Sequence, residues 1–160
     1  PLKEFRLEHP LEEIDPADTG SFAGTYLNLY KSAYTIFKDN PFFGVGNKNY
    51  RYVTCAENAK PEYKCSMHPH QIYFEFLAEH GLIGTIILLF VLFKLAFGKI
   101  KIILQSKNYV QIGCFLYFVT FFIPFLPSGV FFGDLSLTFF FLNLSLMYSI
   151  NEKTNIFSKN

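Results

Sequence analysis

The period of polar and apolar positions changes twice along the chain. Residues 1–20 show none and are punctuated by Pro10, Pro16 and Gly20, so they read as loop. From Ser21 to Lys38, Phe22, Tyr26, Leu29, Ala33, Ile36 and Phe37 recur at helical spacing, with Asn28, Lys31, Thr35 and Lys38 opposite. This predicts an amphipathic helix near 22–38, too polar to cross a membrane. Such a helix either packs on its own domain or lies on a bilayer surface. Asp39, Asn40, Pro41, Gly44 and Gly46 then end it, and 41–70 reads as a polar loop.

After Gly81 the pattern becomes continuously apolar, with Lys94 the one charge in "GLIGTIILLFVLFKLAFG". Counted from Gln71, a helix over 71–96 would be ~39 Å long against a hydrocarbon core of ~30 Å, so its first turns would stand in the interface. Two more apolar runs follow, 109–126 and 135–150. The basic stretch "KIKIILQSK" joins the first two, a hairpin loop with Pro127, Gly129 and Gly133 joins the last two, and a polar tail occupies 151–160. Three nearly uncharged segments are too many for a soluble core. The expected fold is all-α: polytopic membrane helices near 71–96, 109–126 and 135–150, behind an external loop region, 1–70, that carries the amphipathic helix.

Charge placement orients this arrangement. Lys94, Lys99, Lys101 and Lys107 flank the first connection, and Lys153 and Lys159 follow the third run. Positive charge marks the cytoplasmic side, so 151–160 reads as a cytoplasmic tail. Residues 1–70 and the 127–134 hairpin would then face outward, into a periplasm in a Gram-negative cell. Composition agrees with a membrane protein, with 21 Phe and no Trp among 160 residues. A net charge of +1 says nothing for nucleic acid. The polar opening, without Met, reads as the start of a C-terminal piece of a longer protein.

Cys55 and Cys65 share the external loop. An oxidising compartment favours their pairing, worth ~2–3 kcal/mol by chain entropy; two free thiols are the alternative. Cys114 lies in an apolar run and reads as inert. A zinc site from Cys65, His68, His70 and His80 fits no common ligand spacing.

"CSMHPHQIYFEFLAEHGLIG" (Cys65 to Gly84) places a histidine cluster ahead of the apolar run. Ser66 could cap a helix with Pro69 in its first turn. His70 would share that turn, where the helix dipole favours neutral imidazole, a competent general base. Gln71, Glu75 and Glu79 repeat on one helix face and could hold a wet polar pocket. The bland alternative is that the histidines merely snorkel at the interface.

Several of these residues also carry a family resemblance. His70, Gln71, nine residues, Gly81, two residues and Gly84 resemble the signature of the O-antigen ligase and O-antigen polymerase family. "IFKDNPFFGVGNKNY" (Ile36 to Tyr50) is similar to that family's loop, in which an amphipathic helix ends at an Asn-Pro turn with spaced glycines. "AEHG" (Ala78 to Gly81) resembles its usual Ala-Glu-Thr-Gly, with His80 in place of Thr. Tyr26 stands where members often carry Arg, and "KNYRYVTC" resembles a variant with a cysteine-bracketed loop.

The resemblance implies a multi-pass, metal-independent glycosyltransferase of the bacterial inner membrane, without cofactor. It would move a glycan from a polyprenyl-diphosphate donor to lipid A-core, as a ligase, or to another lipid-linked glycan, as a polymerase. His70 would be the general base. Arg51, Lys48 and His68 would bind the diphosphate, with Gln71, Glu75 and Glu79 in support and Cys55 bonded to Cys65. A non-catalytic membrane module, such as a transporter fragment, is the rival class. Against it, the second and third runs contain no acid, base or His.

Overall fold

The computed structural model describes residues 22–124 and 126–154, and these contain helices and no strand. α1 spans Phe22–Asp39, α2 Tyr50–Thr54, α3 Ile72–Phe97, α4 Ile100–Gln105, α5 Tyr109–Phe121 and α6 Asp134–Ser149. The loop expected over residues 1–20 lies outside the described residues. α2 arises within the expected loop, and α4 within the expected basic connection.

α5 stops at Phe121, short of the expected Leu126, because Pro124 lacks an N–H and disfavours helix in the residue before it. Its N-terminus is closed by Asn108, whose side-chain oxygen accepts from the N–H groups of Val110 and Gln111 at 3.1 and 3.2 Å. α6 returns beside it. Gln111 donates to the Met147 carbonyl at 2.7 Å, Asn143 to the Cys114 carbonyl at 2.8 Å, and the Phe118 and Phe140 rings lie 4.4 Å apart. These three levels establish an antiparallel hairpin.

α3 is not one straight rod. Gly81 has φ 62 and ψ −169, outside helical geometry, and divides it. The Tyr73 hydroxyl donates to the Phe122 carbonyl at 2.8 Å, while the Phe93 ring packs on that of Phe122 at 5.2 Å. Residues 73 and 93 would stand ~30 Å apart on a straight helix. Their convergence on one residue shows that the two halves bend toward each other, so the expected ~39 Å rod is replaced by a bent helix. The second half runs antiparallel to α5, with Phe97 against Phe115 at 5.6 Å.

Together, the second half of α3, α5 and α6 form a three-helix bundle. Its phenylalanine-rich core holds Leu92, Ala96, Phe118, Phe122 and Phe140, continuous with Ile72, Phe76 and Phe131 at one end. A second cluster around Ile103, Cys114, Phe115 and Met147 fills the other end.

The first half of α3 crosses the end of the bundle where α5 turns into α6, and α1 packs on it from the far side. Leu29, Ser32, Ala33 and Ile36 form the buried face of α1. The amphipathic helix is therefore packed on its own chain, with Tyr30 stacked on Phe74 at 5.1 Å. The run Ile72–Gln105, 34 residues, is long and apolar enough to cross a membrane. α5 and α6 are apolar but measure only ~20 and ~24 Å.

Candidate functional site

The site begins where the broken helix is repaired. In an unbroken α3, the carbonyls of Ala78 and Glu79 would accept from Leu82 and Ile83. Instead they accept from Val45 at 3.0 Å and Gly46 at 2.8 Å, while Leu82 and Ile83 donate to Pro41 at 2.8 Å and Phe42 at 3.2 Å. The loop after α1 thus supplies both the donors and the acceptors that the break removes. Such exchange is what tolerates broken helices near a membrane, where unpaired backbone groups are costly.

Two carboxylates on the first half of α3 hold further loops. Glu75, 1 % exposed, accepts from the Phe131 N–H with both oxygens at 3.1 Å and from Phe132 at 3.5 Å. Glu79, 4 % exposed, accepts from the Lys48 N–H at 2.9 Å and the Tyr50 N–H at 3.3 Å. The expected wet pocket of Gln71, Glu75 and Glu79 is therefore corrected. These side chains share a face, but they are buried and consumed by backbone donors. Glu75 fixes the 127–133 hairpin, and Glu79 fixes the turn leading to α2.

Gln71 caps α3. It is extended at φ −155, and its side-chain oxygen accepts from the Phe74 N–H at 3.0 Å. This corrects the assignment of Ser66 as cap, since the Ser66 hydroxyl donates instead to the His68 carbonyl at 3.0 Å. It also moves His70 out of the first turn. His70 has φ 57, a left-handed conformation that cannot continue a helix, and precedes the cap.

That unusual backbone is held from the hairpin, where the Ser128 N–H donates to the His70 carbonyl at 2.8 Å. The half-exposed His70 ring lies between two neighbours. The Tyr26 ring meets it edge-on at 5.7 Å, and the His68 ring sits 4.0 Å away. Both His68 ring nitrogens and the Ser128 hydroxyl are buried and make no well-formed hydrogen bond among the described residues, the Ser128 backbone acting on the His68 ring only weakly. Burial, and then the nearby His70, hold the His68 pKa below the usual imidazole value. A neutral His68 offers one ring donor and one acceptor, and Ser128 offers a hydroxyl, beside a ring suited to proton transfer.

The remaining expected residues are distributed around this turn. Arg51, in the first turn of α2, donates to the Met67 sulfur at 3.5 Å, on the approach to His68. Lys48 instead pairs with Asp134 at 3.2 Å, both being largely exposed, a link worth no more than ~1 kcal/mol. His80 lies apart, its ring 4.9 Å from Phe132 and its Nε2 buried and unbonded.

Cys55 and Cys65 are joined by a disulfide with their Cα atoms 4.6 Å apart. It closes a loop tied to α1 by the Lys64 N–H, which donates to the buried Ser32 hydroxyl at 2.9 Å. Lys60 reaches Asp39 at 2.8 Å from the same loop. Sequence reasoning missed Ser128, whose one signal was its place between Pro127 and Gly129, which reads as a turn.

Compared with protein-family models, residues 6–89 match the family described as O-antigen ligase. No curated protein and no solved structure gives a significant match.

Proposed function

The chain belongs to the O-antigen ligase family, and on that basis we propose that it forms the base-bearing part of an inner-membrane glycosyltransferase that draws its glycan from a polyprenyl-diphosphate donor. The acceptor is the sugar of a lipid A-core. In this reading the second half of α3, α5 and α6 each cross the membrane, with the lysine-rich ends in the cytoplasm and the histidine turn outside, which the bias of positive charge to the cytoplasmic side supports.

In this reading His70 accepts the proton of the acceptor hydroxyl as its oxygen attacks the anomeric carbon. The bond from that carbon to the diphosphate breaks, and the diphosphate leaves with the electron pair. Arg51 and His68 face the developing negative charge, and Lys48 joins them by leaving its exposed pairing with Asp134. A guanidinium suits phosphate because it offers paired donors in one plane. Gln71, Glu75 and Glu79 act indirectly, by fixing the turn and its two supporting loops.

The observation that carries the proposal is the His68–His70 pair, with ring centroids 4.0 Å apart, beside buried polar atoms of His68 and Ser128, with His70 at the head of the motif that resembles the family's signature. Loss of a general base typically costs 10²–10⁴-fold. The test is complementation of a strain lacking the enzyme, reading surface glycan beside a blot for the protein. His70→Ala is expected to accumulate normally and transfer no glycan; normal glycan would remove His70 from the chemistry. The same gel separates a ligase, which caps core-lipid, from a polymerase, which alters chain length.

A further inference from the structure

We propose that Phe42 and Phe43 form an aromatic wedge that inserts into the outer leaflet and fastens the external layer to the bilayer. The inference rests on the reading that α3 lies in lipid from Leu82 onward.

Phe42 and Phe43 occupy the tip of the loop after α1 and are 62 % and 76 % exposed. Two large apolar side chains so exposed at a loop tip call for an apolar partner. The tip is also fixed in place. Leu82 donates to the Pro41 carbonyl at 2.8 Å and Ile83 to the Phe42 carbonyl at 3.2 Å, so the backbone of the tip is bonded to the start of the second half of α3. A β-carbon on Gly81 would lie 2.4 Å from the Phe42 carbonyl carbon, which shows that the two backbones touch. The backbone that carries the pair therefore cannot move away from α3 without breaking the bonds that repair the helix.

The neighbouring surface identifies the occupant. Leu82, Ile83, Ile86, Ile87 and Phe90 are all exposed, continuing one apolar surface from the loop tip down the helix. The wedge lies at the upper edge of this surface, on the side away from Lys94, Lys99 and Lys101. Aromatic rings at a membrane–water boundary bury apolar area while the backbone that carries them stays in the polar layer. Because the same loop repairs α3 below the histidine turn, lipid contact here would set the height of the catalytic layer over the membrane.

The chain contains no Trp, so Phe43→Trp introduces a reporter at the wedge. The protein, free of other tryptophans, is reconstituted in phosphatidylcholine vesicles with and without bromine on the acyl chains, and iodide is added to the water. Phe90→Trp reports the helix face, and Phe42→Trp repeats the measurement at the second ring. The expected result is loss of Phe43→Trp and Phe42→Trp emission in brominated vesicles, with little response to iodide. If Phe90→Trp is quenched by lipid while both wedge reporters respond only to iodide, the wedge is in water and the proposal falls. Quenching of the wedge reporters by neither agent means that protein covers them, and it falls equally. If lipid quenches none of the three, the placement of α3 in lipid fails together with the wedge.

Discussion

Gly44 and Gly81 meet with their α-carbons facing each other's backbone. A β-carbon on Gly44 would fall 2.6 Å from the Gly81 nitrogen, and one on Gly81 2.4 Å from Phe42, two residues before Gly44. Both glycines have positive φ, 66 and 62. Gly81 also has ψ −169, a region that residues with a β-carbon essentially do not enter. Gly81→Ala is expected to cost at least ~1–3 kcal/mol from backbone strain alone, before any clash. Gly44→Ala should likewise lower the thermal midpoint in detergent, whereas Gly113→Ala, with open space around it, should not. Equal midpoints for the three would remove close backbone contact as the reason for these glycines.

Glu75 is expected to behave as a structural acceptor. Glu75→Ala leaves the Phe131 N–H buried without a partner, a cost of ~1–3 kcal/mol. Glu75→Gln keeps one acceptor oxygen and should recover part of the loss. Limited proteolysis gives the readout. The hairpin at 127–133 should be cut fastest in Glu75→Ala and at an intermediate rate in Glu75→Gln.

Acid should weaken the histidine turn. The His68 pKa is lowered in the folded chain, chiefly by burial, so the unfolded chain binds the proton more readily. The stability this confers is complete above the unfolded value of ~6.5 and is lost as pH falls through the folded value. Glu75 and Glu79, whose pKa values burial raises, shift stability the opposite way over this range, so the expected outcome is a difference: from neutrality to about pH 5 the midpoint of the native protein changes less favourably than that of His68→Gln. Identical slopes would assign the acid sensitivity to other groups.

The disulfide should matter for the loop between α2 and α3. Opening a ring of this size costs ~2–3 kcal/mol by chain entropy. A reductant should lower the thermal midpoint of the native protein and leave Cys55→Ser/Cys65→Ser unchanged. Cys114 is buried and free, and should not contribute to the difference.

The parts legible in the sequence were those set by local pattern. α1 was visible because residues such as Leu29, Ala33 and Ile36 repeat at helical spacing along one face. The apolar runs were visible because little charge interrupts them. The break in α3 was hidden because Gly81 sits inside an apolar stretch, and its repair comes from Pro41 to Gly46, a separate loop. His70 was misplaced because Pro69 suits a first helical turn, while the cap that competes with it, Gln71, is a weaker signal. Glu75 and Ser128 owe their roles to contacts across 56 and 58 residues, which no local window contains.

The bond between Glu75 and Phe131 also bears on biogenesis. A ribosome delivers the acid well before its partner, so the carboxylate lacks these donors until the hairpin between α5 and α6 has been made and has folded back onto α3. The first half of α3 can therefore be locked to the hairpin only after α5 has been completed. A chain truncated before Phe131 would keep its histidines and its disulfide loop yet leave the buried Glu75 carboxylate without its backbone donors.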